Sequence, residues 1–475
     1  MTANPRRRRN RSLVGLGLSV LFLVGAVVLV VVAVATLRHS QEGEAVGIDE
    51  RPVVVLPATP NALLAVTGDE GELTSLVVMT LLPTGRGGTI VTVPVNADLN
   101  AGVGTELEPL DVAFEELEFD EFVSRVEGML AIAIERSEVV DADGLRDLIE
   151  PVVPIDVIVP EDVIDSSQRG TGIVTRMGEK ELRGLLVVDS LTATDTTGPS
   201  YDHHDVDVAM WTGLAANAPV PADADVPRDS FGGPQPPADV AALVRRLWEG
   251  DVQVRDLDLV SVEEEADGEE AEETTPGTEP PGEEAEGAGG EEPADDASGD
   301  EPPGEEDGLD VVVVDRRDSL LVFAQISPAL VTTPNPALSF RLEVGYTDEQ
   351  LRESGEDFAT PSDVARKLIG ELLFLQGNVV SVDMTERADG APTVTHIAVA
   401  DEAFLQDMID FAPILFGESE VELATSLIDG VDVVVTLGTD YLGHEIPADS
   451  DLSGDSAPAV PDTGGSTPDT VESDE

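Results

Sequence analysis

The sequence predicts an α/β protein in which a sheet is sandwiched by helices, followed by a smaller α/β domain, behind one N-terminal transmembrane helix. Three observations predict it. Strand-length apolar runs alternate with helix-length amphipathic stretches from Asn61 to Leu437. A run of 25 residues without a charge, Leu13–Leu37, directly follows an arginine cluster. Acidic, Gly- and Pro-rich stretches interrupt this pattern once and then end it.

Length and charge bound the rest. The chain has 475 residues, too many for one ordinary domain, and 41% are hydrophobic, enough for real cores. Its 96 acidic residues against 26 basic ones give a net charge of −70, and only Lys180 and Lys367 are lysines. So negative a surface repels phosphate backbones, which excludes nucleic acid as a partner. With no cysteine, disulfides, thiolate zinc sites and cysteine nucleophiles are ruled out.

At the N-terminus Arg6, Arg7, Arg8, Arg9 and Arg11 precede Leu13–Leu37. As a helix this run is about 37 Å long, enough to cross a bilayer. The positive-inside bias leaves the arginines cytoplasmic and the bulk of the chain extracytoplasmic. A cleaved signal peptide is the alternative, since Ala33-Val34-Ala35 resembles a cleavage site. The run is well beyond the roughly 7–15 residues of a signal peptide's apolar region, so an uncleaved anchor is expected. The expected organisation is a basic tail (1–12), membrane helix (13–37), stalk (38–60), first domain (61–335), second domain (336–442) and acidic tail (443–475).

Within the first domain, Asn61–Val66, Leu76–Leu82 and Thr89–Val93 read as strands, with glycine turns at Gly68–Gly71 and Gly85–Gly88. Asp120 is expected to cap a helix carrying Phe122, Val126, Met129 and Leu130 on one face. Ile132–Val139 reads as a strand, Asp141 as the start of a helix ended by Pro151 and Pro154, and Ile155–Val159 as a strand. Glu179–Val188, Asp205–Ala218 and Pro237–Glu249 read as helices, and Val252–Val262, Leu309–Val314 and Leu320–Ile326 as strands. Between them, 263–307 holds 21 acids and no base in 45 residues. It cannot bury enough apolar surface to offset its chain entropy and is expected to be a disordered insert within one domain.

In the second domain Leu338–Val344 reads as a strand. Thr360-Pro361-Ser362-Asp363 is a helix start, with a threonine cap and proline at the first helical position. Strands are expected at Asn378–Met384, Thr393–Val399 and Val431–Leu437, with helices at Glu402–Phe411 and Val421–Ile428.

This order of elements resembles the LytR-CpsA-Psr (LCP) family of bacterial envelope proteins. The residues that carry the resemblance are Leu63–Asp69, Thr74–Met79, Thr89–Pro94 and the helix–strand–helix–strand run Phe122–Pro160. The second domain is similar to that family's LytR C-terminal module through Leu342–Val344, Pro361–Leu375 and Val431–Tyr441. The resemblance implies an LCP-like sheet sandwiched by helices. It also implies an enzyme that moves a glycopolymer phosphate from a polyprenyl-pyrophosphate carrier onto peptidoglycan. Such chemistry needs arginines and a divalent metal around the phosphates. Where the family has Arg-Ser-Asp-Thr, this chain has Leu73-Thr74-Ser75-Leu76. Where the family has Pro-Arg-Asp-Thr, it has Pro94-Val95-Asn96-Ala97. Leu73, Ser75, Val95 and Asn96 thus replace the family's catalytic positions. Its later arginines also find no match, at Gly184–Asp189 and near Asp202–Asp207.

Other candidates are sparse. Asp202, His203, His204, Asp205 and Asp207 form a His/Asp cluster that is either a metal site or a solvated acidic loop capped by Asp205. No metal-motif spacing is met, which favours the loop. Asp69 and Asp98 are weak metal candidates that read more readily as turn residues. Arg169 and Arg176 are weak phosphate-binding candidates or exposed loop arginines.

The expectation is therefore a pseudoenzyme at the cell membrane, in wall biogenesis and of actinobacterial composition, that binds, scaffolds or modulates wall assembly. Its expected partners are the membrane through one helix and a wall polymer, polyprenyl lipid or another envelope protein, with no cofactor. The alternative is an active phosphotransferase with displaced catalytic residues, which would need Mg2+. Transcription regulation is opposed by the anchor orientation and the negative surface.

Overall fold

The computed structural model describes residues 51–100, 107–165, 172–194, 204–219, 226, 228, 233–261, 311–328, 338–354 and 358–444. Leu13–Leu37, the acidic insert 263–307 and the tail from 445 lie outside the described residues, and so do the anchor and disorder expected of them. No helix among the described residues is long and apolar enough to cross a membrane.

The first sheet grows from three continuous apolar runs. Strands β1 (Asn61–Thr67), β2 (Leu73–Leu81) and β3 (Gly88–Val93) form an antiparallel meander, and every one of their residues is buried. A strand covered on both faces has no reason to alternate, which is why these runs are apolar throughout. Gly87 turns the β2–β3 hairpin at φ +62°, where a side chain would strike the Asp251 carbonyl. β4 (Ser137–Val140) joins β1 in parallel and β9 (Val252–Arg255) joins β3 in parallel, giving the order β9-β3-β2-β1-β4.

One face, carrying Leu63, Leu76, Val78 and Val91, packs on α1 (Leu110–Glu116), α2 (Phe119–Leu130) and α7 (Arg316–Ile326). The other, carrying Leu64, Val77, Met79 and Ile90, packs on four helices. These are α3 (Ala142–Ile149), α4 (Gly184–Leu191), α5 (His204–Ala216) and α6 (Val240–Leu247). Asp141 caps α3 by accepting from the Gly144 N–H at 2.9 Å, as its position in the sequence predicts. Asp120 does not cap α2; Glu118 occupies that position and Asp120 lies in the first turn.

Several expected elements are different. Within Glu179–Val188, β8 (Gly178–Leu182) pairs antiparallel with β5 (Ile155–Val159) before α4 begins. The Gly-Glu-Lys-Glu-Leu alternation is a strand period that the apolar run of α4 masks. Ile132–Val139 shortens to β4 because Ala131, at φ 55°, closes α2 immediately before it. Val252–Val262 divides into β9 and β10 (Leu259–Ser261); the latter leaves the sheet to pair antiparallel with β11 (Val312–Val314). Ser261 therefore lies opposite Val312.

Leu320–Ile326 is not a strand but the body of α7. Asp315 caps that helix by accepting from Arg317 N–H at 2.8 Å. Its apolar run has no readable period because α7 is enclosed by α2, by α9 (Pro361–Phe374) and by β13 (Asn378–Asp383). Between β5 and β8 the remaining short elements, β6 (Val163–Asp165) and β7 (Gly172–Thr175), pair antiparallel.

The second sheet has the order β13-β12-β17-β14-β15, built on β12 (Ser339–Glu343), β14 (Thr395–Val399), β15 (Ser419–Leu423) and β17 (Val433–Thr436). Only the β14–β17 pairing is antiparallel. The helices α9 and α10 (Glu402–Phe416) pack on it, and α8 (Asp348–Ser354) packs against the turn Thr439–Gly443. Thr360 and Asp363 complete a reciprocal capping box at the start of α9, with Pro361 at its first position. Val421–Ile428 is not a helix. Its Ser-Glu-Val-Glu-Leu alternation pairs β15 with β14, and β16 (Leu427–Ile428) follows.

The described residues from 54 onward form one compact unit. Within the larger unit the core under β1–β3 runs on through α7 into Phe340, Leu342, Val364 and Leu368 of the second sheet. Arg366 of α9 ties this junction, 2.8 Å from Asp318 of α7 and 2.9 Å from Asp258.

Candidate functional site

The replaced family positions lie where β2 begins and β3 ends. Leu73 is buried in the core shared with α1 and α2. Ser75 is fully buried and accepts a hydrogen bond from Trp211 Nε1 of α5 at 3.3 Å. Val95 is half-buried, and its carbonyl accepts from Asp111 N–H at 2.9 Å. Asn96 is buried, and its carbonyl accepts from Val312 N–H at 3.3 Å. None of the four side chains carries a charge, and a hydroxyl as enclosed as that of Ser75 cannot meet a substrate.

The loop after β3 is fastened from within. Asp98 is 1% exposed, and its Oδ1 accepts from the N–H groups of Asn100 at 3.2 Å and Glu108 at 2.9 Å. Arg125 of α2 then clamps Glu108 at 2.7 Å and Asn100 at 2.9 Å. The hydrogen bond to Glu108 is the main cause holding the Arg125 guanidinium above its ordinary pKa, against partial burial. Asp98 thus acts as a loop organiser, with two backbone donors on its carboxylate.

His204, the first residue of α5, is buried with Nε2 2.6 Å from Asp256 Oδ1. Asp256 follows β9, and the same oxygen accepts from Leu257 N–H at 2.9 Å. Thr92 of β3 donates to Arg255 O at 3.3 Å beside them. Asp207, one turn along α5, is also buried, whereas Asp205 is exposed in the first turn. This pairing joins α5 to the edge of the sheet and surrounds an imidazole with acid, not a phosphate with base.

Asp69 is exposed in the β1–β2 turn and Arg176 is exposed between β7 and β8, while Arg169, His203 and Asp202 lie outside the described residues. Among the described residues no group of three or more His, Asp or Glu could hold a metal ion. The divalent ion the resemblance implies therefore finds no fitting donor set there. Asp256, Arg125 and Trp211 are the residues that sequence reasoning missed. Asp256 stands 52 positions from His204, and no local pattern links them.

The space between the sheet and α4–α5 is filled. Val77, Met79, Ile90, Val187, Val188 and Trp211 are each 0% exposed, so no water-accessible surface remains on any of them. Trp211 occupies the centre of that layer, against Ser75.

No family model matches the chain. A stretch of 127 residues, 25% of the chain, is 32% identical to the polyisoprenyl-teichoic acid–peptidoglycan teichoic acid transferase TagV of Bacillus subtilis (strain 168). The chain is related to the LytR-CpsA-Psr proteins. The match spans about a third of TagV, 32% of its length. Among solved LytR-CpsA-Psr structures, that of B. subtilis TagV is 18% identical, with 43% of this chain and 87% of that one covered at a TM-score of 0.29. A LytR-Csp2A-Psr enzyme from Actinomyces oris is 15% identical, with coverages of 44% and 88% and a TM-score of 0.30. TagT with bound octaprenyl pyrophosphate lipid is 16% identical, with coverages of 42% and 78% and a TM-score of 0.29. Overlap at this level leaves the relation to the LytR-CpsA-Psr proteins resting on the sequence match.

Proposed function

We propose that the protein is a single-pass, extracytoplasmic cell-envelope protein related to glycopolymer phosphotransferases, and that it binds or scaffolds at the wall without catalysing transfer. The observation that carries this reading is the filled layer around Ser75. A pyrophosphate-linked polyprenyl chain needs an open apolar channel ending in positive charge, because phosphoryl transfer is driven by positioning and electrostatic stabilisation. Here Trp211 lies against Ser75, and Leu73, Val95 and Asn96 offer no cation. The Asp256 carboxylate beside His204 would repel a pyrophosphate. The domain limits 61–335 and 336–442, the LCP-like and LytR-like identities of the two halves, and the membrane anchor Leu13–Leu37 belong to this same reading.

The test is a transfer assay with the full chain in detergent, a polyprenyl-pyrophosphate-linked glycopolymer, peptidoglycan and Mg2+. Released polyprenyl phosphate is expected to stay at the protein-free level. Time-dependent release that scales with protein concentration would establish an active transferase instead.

A further inference from the structure

Phe374, the last residue of α9, is 79% exposed. It falls off the buried stripe of that helix, which Val364, Leu368 and Leu372 form. Its position is nevertheless fixed. Gly377 N–H donates to Leu372 O at 2.8 Å and Gln376 N–H to Leu373 O at 2.9 Å, closing the helix with Gln376 at φ 62°. Beside it, between α9 and α10, opens an apolar cavity of about 210 Å³ lined by Phe340, Leu372, Leu375, Met408, Phe411 and Leu415. Phe374 is not part of that lining. It borders the neighbouring depression with Lys367, Glu371 and Arg317, and Leu375 and Leu415 are common to the two. A fixed aromatic knob and an apolar hole thus stand side by side on one face.

The charges divide in the same way. On the knob's side Arg317 pairs with Asp315 at 2.9 Å, and Glu371 accepts from Tyr441 Oη at 2.9 Å. Lys367 there donates to the His444 carbonyl at 3.1 Å and makes no ion pair among the described residues. On the hole's side Asp407 is exposed and makes none either. Each side of the face carries what the other lacks, and this selects the occupant. An anionic lipid would meet the Asp407 carboxylate at the mouth of the hole. A neutral acyl chain would fill the hole and leave Phe374 in water. A second copy supplies a knob for the hole, a hole for the knob and the missing charge of each sign. A two-fold axis lying in the face, midway between Phe374 and the cavity, sets each knob in its mate's hole and turns each Lys367 toward its mate's Asp407. We infer that this face is a symmetric dimer interface between two copies of the chain, with Phe374 as its anchor. An aromatic side chain held in an apolar pocket is the common form of an interface hot spot. Screening beyond about 8 Å at physiological salt keeps the net charge of −70 from preventing the contact. The inference is independent of whether the first half transfers anything.

The chain has no cysteine, so one introduced cysteine reports on this face alone. Leu375, common to both depressions, lies beside the axis. Leu375→Cys, in the full chain reconstituted in phosphatidylcholine vesicles and oxidised with copper phenanthroline, should give a disulfide-linked dimer. Ala403→Cys, exposed at the start of α10, should not. Adding Phe374→Asp should cut the linked fraction of Leu375→Cys at least about tenfold, and Phe411→Asp should do so from the hole's side. Phe374 is exposed, so the melting temperature of Phe374→Asp should not fall. Sedimentation of the unmodified chain in detergent should give a dimer with a Kd on the order of 10 μM, weakened at least about tenfold by Phe374→Asp. The inference is overturned if Leu375→Cys links no more than Ala403→Cys, or if linking survives Phe374→Asp. Insertion of the face into the bilayer would also leave Leu375→Cys unlinked and would overturn it equally.

Discussion

Replacing Arg366 by methionine should release the joint between the two halves of the molecule. Arg366 Nη2 holds Asp318 at 2.8 Å and Asp258 at 2.9 Å, while Nη1 is 3.5 Å from Asp363. The side chain of Asp318 is 6% exposed, against 62% for Asp258. Breaking a fully buried pair costs about 3–5 kcal/mol, because a charge is left without compensation. Here the more exposed Asp258 stays hydrated, and Asp318 keeps the Asp258 N–H on its other oxygen at 2.9 Å. A loss of about 2–3 kcal/mol follows. Urea unfolding of the full chain, followed by far-UV circular dichroism, measures it. The double variant Arg366→Met/Asp318→Asn removes the orphaned charge and retains that backbone hydrogen bond, so at least half the loss should return. Trp211 and Trp248, packed on the opposite face of the first sheet, should report the same midpoint by fluorescence as the whole chain does by dichroism, since β1–β3 carry that core on one face and the core that runs through α7 on the other. A loss below about 0.5 kcal/mol, or no recovery in the double variant, would refute the electrostatic account of the joint.

Two further predictions concern single buried groups. Trp211→Ala should cost about 3–5 kcal/mol, whereas Trp211→Phe should cost only about 1 kcal/mol for the lost hydrogen bond to Ser75, both read from urea midpoints. Burial raises the Glu371 carboxyl above its ordinary value of 4.5, against the hydrogen bond from Tyr441 and the charges of Lys367 and His444. A raised folded-state pKa contributes stability that is complete below 4.5 and lost as pH rises through the folded value, leaving a penalty at neutral pH. Glu371→Gln should therefore raise the melting temperature at neutral pH, with a gain that shrinks as pH falls toward 4.5. A gain that is unchanged across that range would contradict the assigned cause.

The cap at Asp141, the capping box at Thr360 and the β1–β3 meander were legible in the chain because each rests on local chemistry. A side chain and an N–H lie three residues apart, or an apolar run ends in a glycine turn. The chemical poverty of Leu73, Ser75, Val95 and Asn96 was legible for a simpler reason: no folding can supply a charge that the residue types lack. Elements enclosed on all sides were not legible. The apolar run of α7 is buried between α2, α9 and β13, which removes the polar face from which a period would be read.

The sequence by itself determined composition, charge, local caps and the absence of cations at the positions a phosphotransferase would use. Only the tertiary structure decided that Trp211 would lie against Ser75, that Asp256 would meet His204, and that Arg366 would join Asp318 to Asp258. Those pairings join residues tens to more than a hundred positions apart. They are chosen by how whole helices and sheets pack, and a linear pattern carries no record of that choice.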